Sequence, residues 1–445
     1  MYLSLMMQET NVRPSMSHYR WTICGLIFFA TTINYLDRSV ISLLKNDLEK
    51  TFNWSESDYS NIVIAFQISY AIGLLLAGRI IDRIGTKWGY ALALFFWSFA
   101  AMGHAAVKSS IGFLIARAGL GLTEAGNFPA AIKTIAEWFP RKERALATGI
   151  FNSGVNIGAI IAPLIVPPIA IYWGWQWAFL ITGAIGLSWL FFWFRYYDIP
   201  QRQKRLSSKE YAYIHQDADE PVVDINDIAI VKPVPILKLL SFRQTWAFIA
   251  GKFLSDPIWW FYLFWLPAFL KAEYGLEKTA VMLPVALVYT ISAVGSVFGG
   301  WLPLYFIRLG WPVFRARKTS MLFYAICALP VVFAQYLGSL NMWYAVLIIG
   351  FATAAHAAWS ANIFTTVSDM FPKKTVGSVT GIGGMAGALG SVIVSRMAGL
   401  LFDHYKAIGH LQTGYYIMFF ICGFGYLVGW LIMHFLVPRM KKVDV

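Results

Sequence analysis

The stretch GRIIDRIGTK, residues 78–87, is a short charged segment between two long apolar runs. Each of these runs has about 20 residues, enough for a helix to cross a hydrocarbon core of roughly 30 Å. The glycines of the stretch allow helices to approach closely. Asp82 can pair with a nearby cation or cap a helix N-terminus. The stretch therefore predicts a tight turn that joins two membrane-crossing helices.

Similar apolar runs recur along nearly the whole chain. Of its 445 residues, 58% are hydrophobic, 17% aromatic and only 13% charged, a composition that argues against a set of soluble domains. Twelve runs are long enough to cross a membrane: 20–42, 58–78, 88–106, 111–136, 145–168, 175–196, 244–270, 279–307, 319–338, 342–370, 376–402 and 413–437. We therefore predict an all-α integral membrane protein with twelve transmembrane helices.

The distribution of basic residues predicts the orientation. The chain carries 36 basic and 23 acidic residues. This balance would suggest nucleic acid binding in a soluble protein, but most of the basic residues lie in alternate loops, on the side of the N-terminus. By the positive-inside rule, both termini and the long central loop are predicted to be cytoplasmic. The expected location is the inner (cytoplasmic) membrane of a bacterial cell, with the lipid bilayer and not nucleic acid as the partner.

The chain contains an internal repeat. A long polar segment, 197–243, separates an N-terminal six-helix bundle predicted at 18–196 from a C-terminal one predicted at 244–438. A shift of 232 residues places the sequence FPRK at 139–142 on FPKK at 371–374. Repeated halves of parallel topology have their substrate site near the midplane between the halves. We therefore expect two pseudo-symmetric bundles with a site between them.

The stretch at 78–87 resembles the signature loop of the major facilitator superfamily. Thr86 stands where that loop usually has an arginine, so the detailed contacts of the family's loop are not assumed for this chain. The resemblance implies conformational roles for Asp82, Arg83 and Gly85.

Further motifs narrow the resemblance. Residues 34–38 (NYLDR) and 117–129 resemble the anion:cation symporter family within that superfamily. Residues 256–267 and 356–366 look like those of bacterial hexuronate transporters. The resemblance covers nearly all of 18–440 and implies a symporter that carries glucuronate or galacturonate inward with protons.

The resemblance also implies roles for the charged residues of the first and fourth runs. Asp37 and Glu124 would couple protons, and Arg38 would meet the anion. Sodium in place of protons stays open. So do another organic anion, such as the aldonate galactonate, inorganic phosphate, and a transport-like sensor that moves no substrate.

The energetic cost of a charge inside the membrane also indicates what these residues contact. A charge at the centre of a membrane helix costs about 2.5–3.5 kcal/mol, so it usually faces a cavity or a partner. Arg38 suits a substrate carboxylate because its planar guanidinium can form two parallel hydrogen bonds. Arg117 would instead pair with Asp37 or Glu124 and release that acid when it is protonated. The alternative is a static charge network that holds the first and fourth helices together.

Polar and aromatic residues in several runs are candidates for sugar contacts. His356 falls on Glu124 under the repeat shift, and could donate to a hydroxyl, titrate, or be a packing histidine. Sugar hydroxyls need fixed donors and acceptors, and a pyranose face stacks on aromatic rings. The other candidates are Tyr35, Tyr70, Asn156, Trp359, Ser360 and Asn362. Lys252 and Asp256, one helical turn apart, predict an internal pair.

No set of residues predicts an enzyme. The sequence offers no nucleophile, metal cluster or pair of acids near a membrane interface. The three cysteines, Cys24, Cys327 and Cys422, all lie within apolar runs and indicate neither disulfides nor a metal. We predict a monomeric transporter without cofactor or metal.

Overall fold

The computed structural model describes residues 16–54, 56–216, 234–276, 280, 282–439 and 441–444. Its helices follow the predicted order and confirm the all-α fold of twelve crossings. Numbered by crossing, they are α1 Tyr19–Leu43, α2 Glu56–Ile84, α3 Thr86–Gly103, α4 Ser110–Glu124 with Asn127–Trp138, α5 Arg141–Trp173, α6 Trp175–Tyr196, α7 Arg243–Tyr274, α8 Met282–Arg308, α9 Val313–Ala328 extended by Leu329–Phe333 and Ala334–Leu340, α10 Met342–Met370, α11 Val376–Ala407 and α12 Leu411–Leu436.

Nine of these described helices are long and apolar enough to cross a membrane by length and composition alone. The other three are α1, α4 and α7. α1 carries Asp37 and Arg38, and α7 carries Lys252 and Asp256. Pairs of charged residues within the span thus reduce the apolar character of α1 and α7.

The fourth crossing is divided, whereas the sequence predicted one continuous helix. Its first segment ends at Glu124 and its second begins at Asn127. Pro129 has no N–H to donate to the carbonyl four residues earlier, so the regular helix is interrupted at 125–126. The break leaves Glu124 at the end of a helical segment in the protein interior, where its side chain is fully buried.

Both described chain ends and the described parts of the predicted linker, 197–216 and 234–243, lie at one end of the bundle, which we call the terminal side. Residues 217–233 of that linker lie outside the described residues. Ser17 Oγ donates to Glu210 Oε2 over 2.6 Å, and Arg20 pairs with Glu210 at 2.8 Å and with Glu143 at 2.9 Å. The Tyr213 hydroxyl donates to Glu143 over 2.6 Å. Burial, followed by this hydrogen bond, raises the pKa of Tyr213, so the phenol remains a donor. A short helix at 208–214 is thus tied to the N-terminal half.

The two halves meet at close helix contacts related by the internal repeat. A Cβ atom on Gly149 of α5 would overlap the Ser296 carbonyl oxygen of α8. A Cβ on Gly381 of α11 would likewise overlap the Leu74 carbonyl oxygen of α2. Positions 149 and 381 correspond under the 232-residue shift. Small residues let the backbones approach at both places.

Asp82 closes the terminal side by capping a helix of the other half. Its carboxylate accepts hydrogen bonds from the backbone N–H groups of Gly377, at 3.2 Å, and Ser378, at 2.6 Å, in the first turn of α11. Lys133 Nζ lies 2.9 Å from the same carboxylate. Asp82 therefore has both roles that the sequence suggested. Arg83 is exposed, and Gly85 has a φ of +84°, which favours glycine at the turn from α2 to α3.

A second cross-half contact involves Asp369, at the end of α10. Its carboxylate accepts a hydrogen bond from Arg317 and lies 3.7 Å from Arg144 Nη1 of α5. Arg141 Nη2 donates to the Asp369 carbonyl over 3.2 Å. Together with the Asp82 cap, these contacts hold the terminal sides of the two halves against each other.

Asp82→Asn is expected to lower the thermal stability of the purified protein. The amide keeps the shape of the carboxylate but loses the charge that stabilises the N-terminus of α11, and charge-assisted hydrogen bonds contribute about 1.5–3 kcal/mol. A thermal melt of the purified protein checks this. The matched control is Asp198→Asn, which removes a partly exposed pair with Lys87 at 2.9 Å and should change the melting temperature little. A fall in melting temperature of equal size in both variants would contradict a stabilising role of the cap.

Candidate functional site

A central cavity with about 90 Å³ of free volume lies between the two halves. It is lined from both sides by aromatic, polar and charged side chains. From the N-terminal half come Tyr35, Arg38, Tyr70, Leu74, Phe128, Asn152, Val155 and Asn156, and from the C-terminal half Lys252, Asp256, Trp259, Trp260, His356, Ala357, Ser360, Phe364, Thr380, Gly384 and Ala388. A mixture of aromatic faces and a few convergent polar groups is typical of small-molecule sites.

Arg38 is the central cation of the N-terminal wall. Its Nε and Nη2 atoms both lie 3.0 Å from Glu124 Oε2, and Nη2 also donates to Asn34 Oδ1 over 3.3 Å. The guanidinium lies 4.6 Å from the centre of the Tyr35 ring and 4.7 Å from that of Tyr70. Such cation–π contacts stabilise a desolvated arginine. Arg38 is therefore oriented by an acid on one side and by aromatic rings on the other.

Part of this ion pair remains available for further hydrogen bonds. Within the described chain, no residue accepts a hydrogen bond from Arg38 Nη1, and none donates one to Glu124 Oε1. Unsatisfied buried polar atoms are rare and call for an explanation. Here they belong to a cation and an acid that meet beside the cavity.

The remaining predicted coupling residues lie behind Arg38, away from the cavity lining. Arg117 Nη2 donates to the Arg38 carbonyl over 3.1 Å, and its guanidinium lies 4.8 Å from the centre of the Phe66 ring. Asp37 is buried and within electrostatic reach of both Glu124 and Arg117. The sequence predicted Arg38 as the partner of the anion and Arg117 as the partner of Asp37 or Glu124. The structure instead shows Glu124 hydrogen-bonded to Arg38 itself.

The C-terminal wall contains an ion pair and an oriented histidine. Lys252 Nζ lies 2.8 Å from Asp256 Oδ1, as their i, i+4 spacing predicted. His356 Nδ1 is 2.7 Å from the Tyr426 hydroxyl, and its ring stacks on Trp259 with centroids 5.2 Å apart. This histidine thus has packing partners and also faces the cavity, as both interpretations of the sequence allowed.

Six of the eight residues predicted to contact substrate line the cavity: Tyr35, Arg38, Tyr70, Asn156, His356 and Ser360. The structure does not bring Trp359 and Asn362 there. Trp359 is fully buried and packs against Tyr426 with ring centroids 5.6 Å apart. Asn362 Nδ2 donates to the carbonyl oxygens of Gly299, at 2.7 Å, and Ala358, at 2.9 Å. Its role in this conformation is to join α10 to α8.

Several lining residues were missed as site candidates. Asn152 lies one helical turn before Asn156, so the same face of α5 carries both amides, a signal that was available in the sequence. Phe128 and Thr380 carried no such signal. Phe128 stacks on Phe364 of the other half with ring centroids 5.4 Å apart, a contact set by how the halves dock.

Asn362→Ala is expected to destabilise the protein without changing substrate affinity. It removes the hydrogen bond from α10 to the Gly299 carbonyl, which then keeps the Tyr324 hydroxyl as a donor, at 3.0 Å. A lost hydrogen bond of this kind costs about 0.5–1.5 kcal/mol. A thermal melt of the purified protein together with the substrate Kd checks this. Asn156→Ala, which alters a cavity-lining amide, is the matched comparison and should weaken binding while changing the melt less. A larger loss of affinity in Asn362→Ala than in Asn156→Ala would contradict the assignment.

Comparison with known proteins identifies the family. The family model described as "Major Facilitator Superfamily" matches residues 27–395. The chain belongs to the major facilitator superfamily. This confirms the resemblance drawn from the stretch at 78–87, and it supports a transporter rather than an enzyme.

The relatives of this major facilitator protein include sugar-acid transporters. It is 30% identical over 386 residues to the hexuronate transporter of Escherichia coli K12, covering 86% of this chain and 88% of the relative. It is 33% identical over 287 residues to the galacturonate transporter of Dickeya chrysanthemi, covering 64% of this chain and 82% of that relative. It is 27% identical over 392 residues to a D-galactonate transporter of Escherichia coli O6:H1, covering 87% and 90%.

Solved structures share the fold. The proton:xylose symporter XylE superposes with a TM-score of 0.74 at 18% identity, covering 96% of this chain and 97% of that one. The transporter FucP in its outward conformation gives a TM-score of 0.69 at 13% identity, covering 95% and 100%. At these identities the similarity shows the fold alone. The chain is thus a multi-pass membrane protein of the major facilitator superfamily.

Proposed function

We propose that this chain is a proton-coupled symporter that imports a hexuronate, galacturonate or glucuronate, by alternating access. The observation that carries the proposal is the Arg38–Glu124 pair, in which a guanidinium with an uncommitted nitrogen lines a cavity that also presents aromatic rings, amides and hydroxyl groups. The sugar-acid transporters among the relatives support the same substrate class.

Anion binding follows from the geometry of Arg38. A substrate carboxylate can accept hydrogen bonds from Nη1, which has no acceptor among the described residues. The rings of Tyr35 and Tyr70 contact the guanidinium and keep it oriented. Charge-assisted hydrogen bonds to a planar guanidinium are strong and directional. Asn156, Ser360 and His356 would then contact sugar hydroxyls.

Proton coupling follows because the substrate and Glu124 share one cation. When the substrate carboxylate binds, two anions lie beside Arg38, and their repulsion favours protonation of Glu124. Linkage requires the converse as well, so a proton on Glu124 favours anion binding. Asp37, within electrostatic reach of Glu124, would supply a second proton site. These links make proton and anion binding mutually dependent.

The structure has its terminal side closed by the Asp82 and Asp369 contacts. Transport would require these contacts to open while the opposite side closes around the occupied cavity. The positive-inside rule favours a cytoplasmic location for the terminal side. We accordingly propose a monomer in the inner membrane with both termini cytoplasmic.

An aldonate is the second candidate substrate, because a D-galactonate transporter is among the relatives. Uptake of labelled galacturonate, glucuronate and galactonate into proteoliposomes tests the proposal, under an acid-outside proton gradient and under a sodium gradient. Uptake of a hexuronate that requires the proton gradient supports it. Uptake of galactonate but of neither hexuronate would show that the substrate is an aldonate. Uptake driven by the sodium gradient would show that sodium is the coupling ion. Binding without uptake would indicate a sensor.

A further inference from the structure

The pair formed by Lys252 and Asp256 on α7 has no part in the anion and proton steps above. Both residues line the cavity, with Lys252 Nζ 2.8 Å from Asp256 Oδ1. Charged residues within a membrane fold are costly to place and usually serve the transported species. The position of the pair, on the wall of the half opposite Arg38, indicates a role in recognising the other end of the substrate.

The carboxylate is the member of the pair that faces the cavity. The Asp256 side chain is 19% exposed and the Lys252 side chain 6%. The Lys252 ammonium lies 4.1 Å from the centre of the Phe364 ring and so has two partners already. The C-terminal wall therefore presents to a ligand mainly an acceptor of hydrogen bonds, with its cation held behind.

The position of this carboxylate is well defined. A Cβ atom on Gly387 would overlap Asp256 Oδ2, so the carboxylate rests against the backbone of α11. Tyr35 and Tyr70, whose rings contact the Arg38 guanidinium, are also within electrostatic reach of Asp256. A ligand whose carboxylate binds Arg38 would thus extend toward Asp256 past these two tyrosines.

On the basis of the proposed function, we propose that Asp256 is a specificity-determining residue. It accepts hydrogen bonds from the sugar hydroxyls at the end of the substrate remote from the carboxylate that binds Arg38. It thereby rejects sugar acids that carry a second carboxylate at that end. A carboxylate forms charge-assisted hydrogen bonds with hydroxyl donors. A second substrate carboxylate would bring a negative charge next to that of Asp256 and no hydrogen-bond donor. Repulsion would therefore discriminate against dicarboxylates. The relatives include a probable galactarate/D-glucarate transporter, so this choice between substrates exists within the family.

The test measures how well unlabelled galacturonate and unlabelled galactarate, its dicarboxylate analogue, inhibit uptake of labelled galacturonate. Wild type should prefer galacturonate. Asp256→Asn should narrow that preference by roughly tenfold or more, since a like charge is removed and Lys252 is freed for the second carboxylate. Adding Lys252→Gln to Asp256→Asn should remove the gained galactarate inhibition, because the freed cation is then absent.

Glu273→Gln is the matched control, since it changes an acid to an amide on the same helix outside the cavity lining. Gly387→Ala supplies a second route, because it displaces the carboxylate while keeping its charge, and should narrow the preference less. If Asp256→Asn does not elute as a monodisperse protein, Gly387→Ala replaces it as the test variant. An unchanged preference for galacturonate over galactarate in the variant tested would overturn the specificity role while leaving hexuronate transport intact. Wild-type protein that takes up no hexuronate would overturn both proposals.

Discussion

Arg38→Ala is expected to abolish saturable uptake of the sugar acid. Arg38 is the cation of the N-terminal cavity wall, and Glu124, Asn34 and two tyrosine rings hold it in place. Its removal takes away the anion's partner and leaves Glu124 buried without the guanidinium that donates hydrogen bonds to it. Truncating one member of a buried hydrogen-bonded charge pair costs about 2–5 kcal/mol, so binding should weaken by roughly thirtyfold or more. Direct binding to purified protein, followed by uptake, measures the effect.

Arg38→Lys is the matched variant for this experiment. Lysine keeps the positive charge but cannot present two parallel N–H groups to a carboxylate. Its affinity should fall between those of wild type and Arg38→Ala. If lysine restored full affinity, charge alone would account for recognition. If Arg38→Ala bound the anion normally, the anion site would have to lie elsewhere in the cavity.

Glu124→Gln is expected to separate exchange from accumulation. The amide resembles the protonated acid in shape and charge, so the substrate can occupy Arg38 without competition from a carboxylate. Exchange of external for internal substrate should therefore continue, with affinity equal to or above that of wild type. Accumulation driven by an acid-outside gradient should be lost, because no proton needs to bind or leave at this site for the cycle to proceed.

Glu137→Gln, in the second segment of the same crossing, is the control. Glu137 accepts hydrogen bonds from Thr86, at 2.7 Å, and Tyr197, at 2.8 Å, and does not line the cavity. It should keep gradient-driven accumulation. Retained accumulation in Glu124→Gln would assign coupling to another acid, of which Asp37 is the nearest candidate. Parallel loss of exchange and accumulation would instead indicate a structural role for Glu124.

The architecture could be predicted from local features of the sequence. The length of an apolar run is set by the thickness of the bilayer, so twelve crossings follow from counting runs. The loop at 78–87 and the repeated FPRK and FPKK motifs indicate the superfamily and the two halves from the sequence alone. The i, i+4 pair of Lys252 and Asp256 was also predictable, since both residues lie on one helical turn.

The pairing of charges between helices was decided only by the tertiary structure. From sequence, Arg117 was expected to pair with Asp37 or Glu124, and Arg38 to meet the anion. The break near Pro129 and the docking of α4 against α1 instead bring Glu124 into hydrogen bonds with Arg38. Likewise, Trp359 and Ser360 are neighbours on α10, yet only Ser360 lines the cavity, because α10 turns by about 100° per residue.

The sequence by itself therefore determined the number of crossings, the duplication and the identity of the charged residues, because these depend on distances along the chain and on the thickness of the membrane. It did not determine which side chains converge on the cavity, because that depends on the rotation of each helix and on the docking of the two halves. Asp82 is an example of both kinds of information. Its capping chemistry was evident from the turn, whereas its partners, Gly377 and Ser378, lie nearly 300 residues away and were brought to it by the fold.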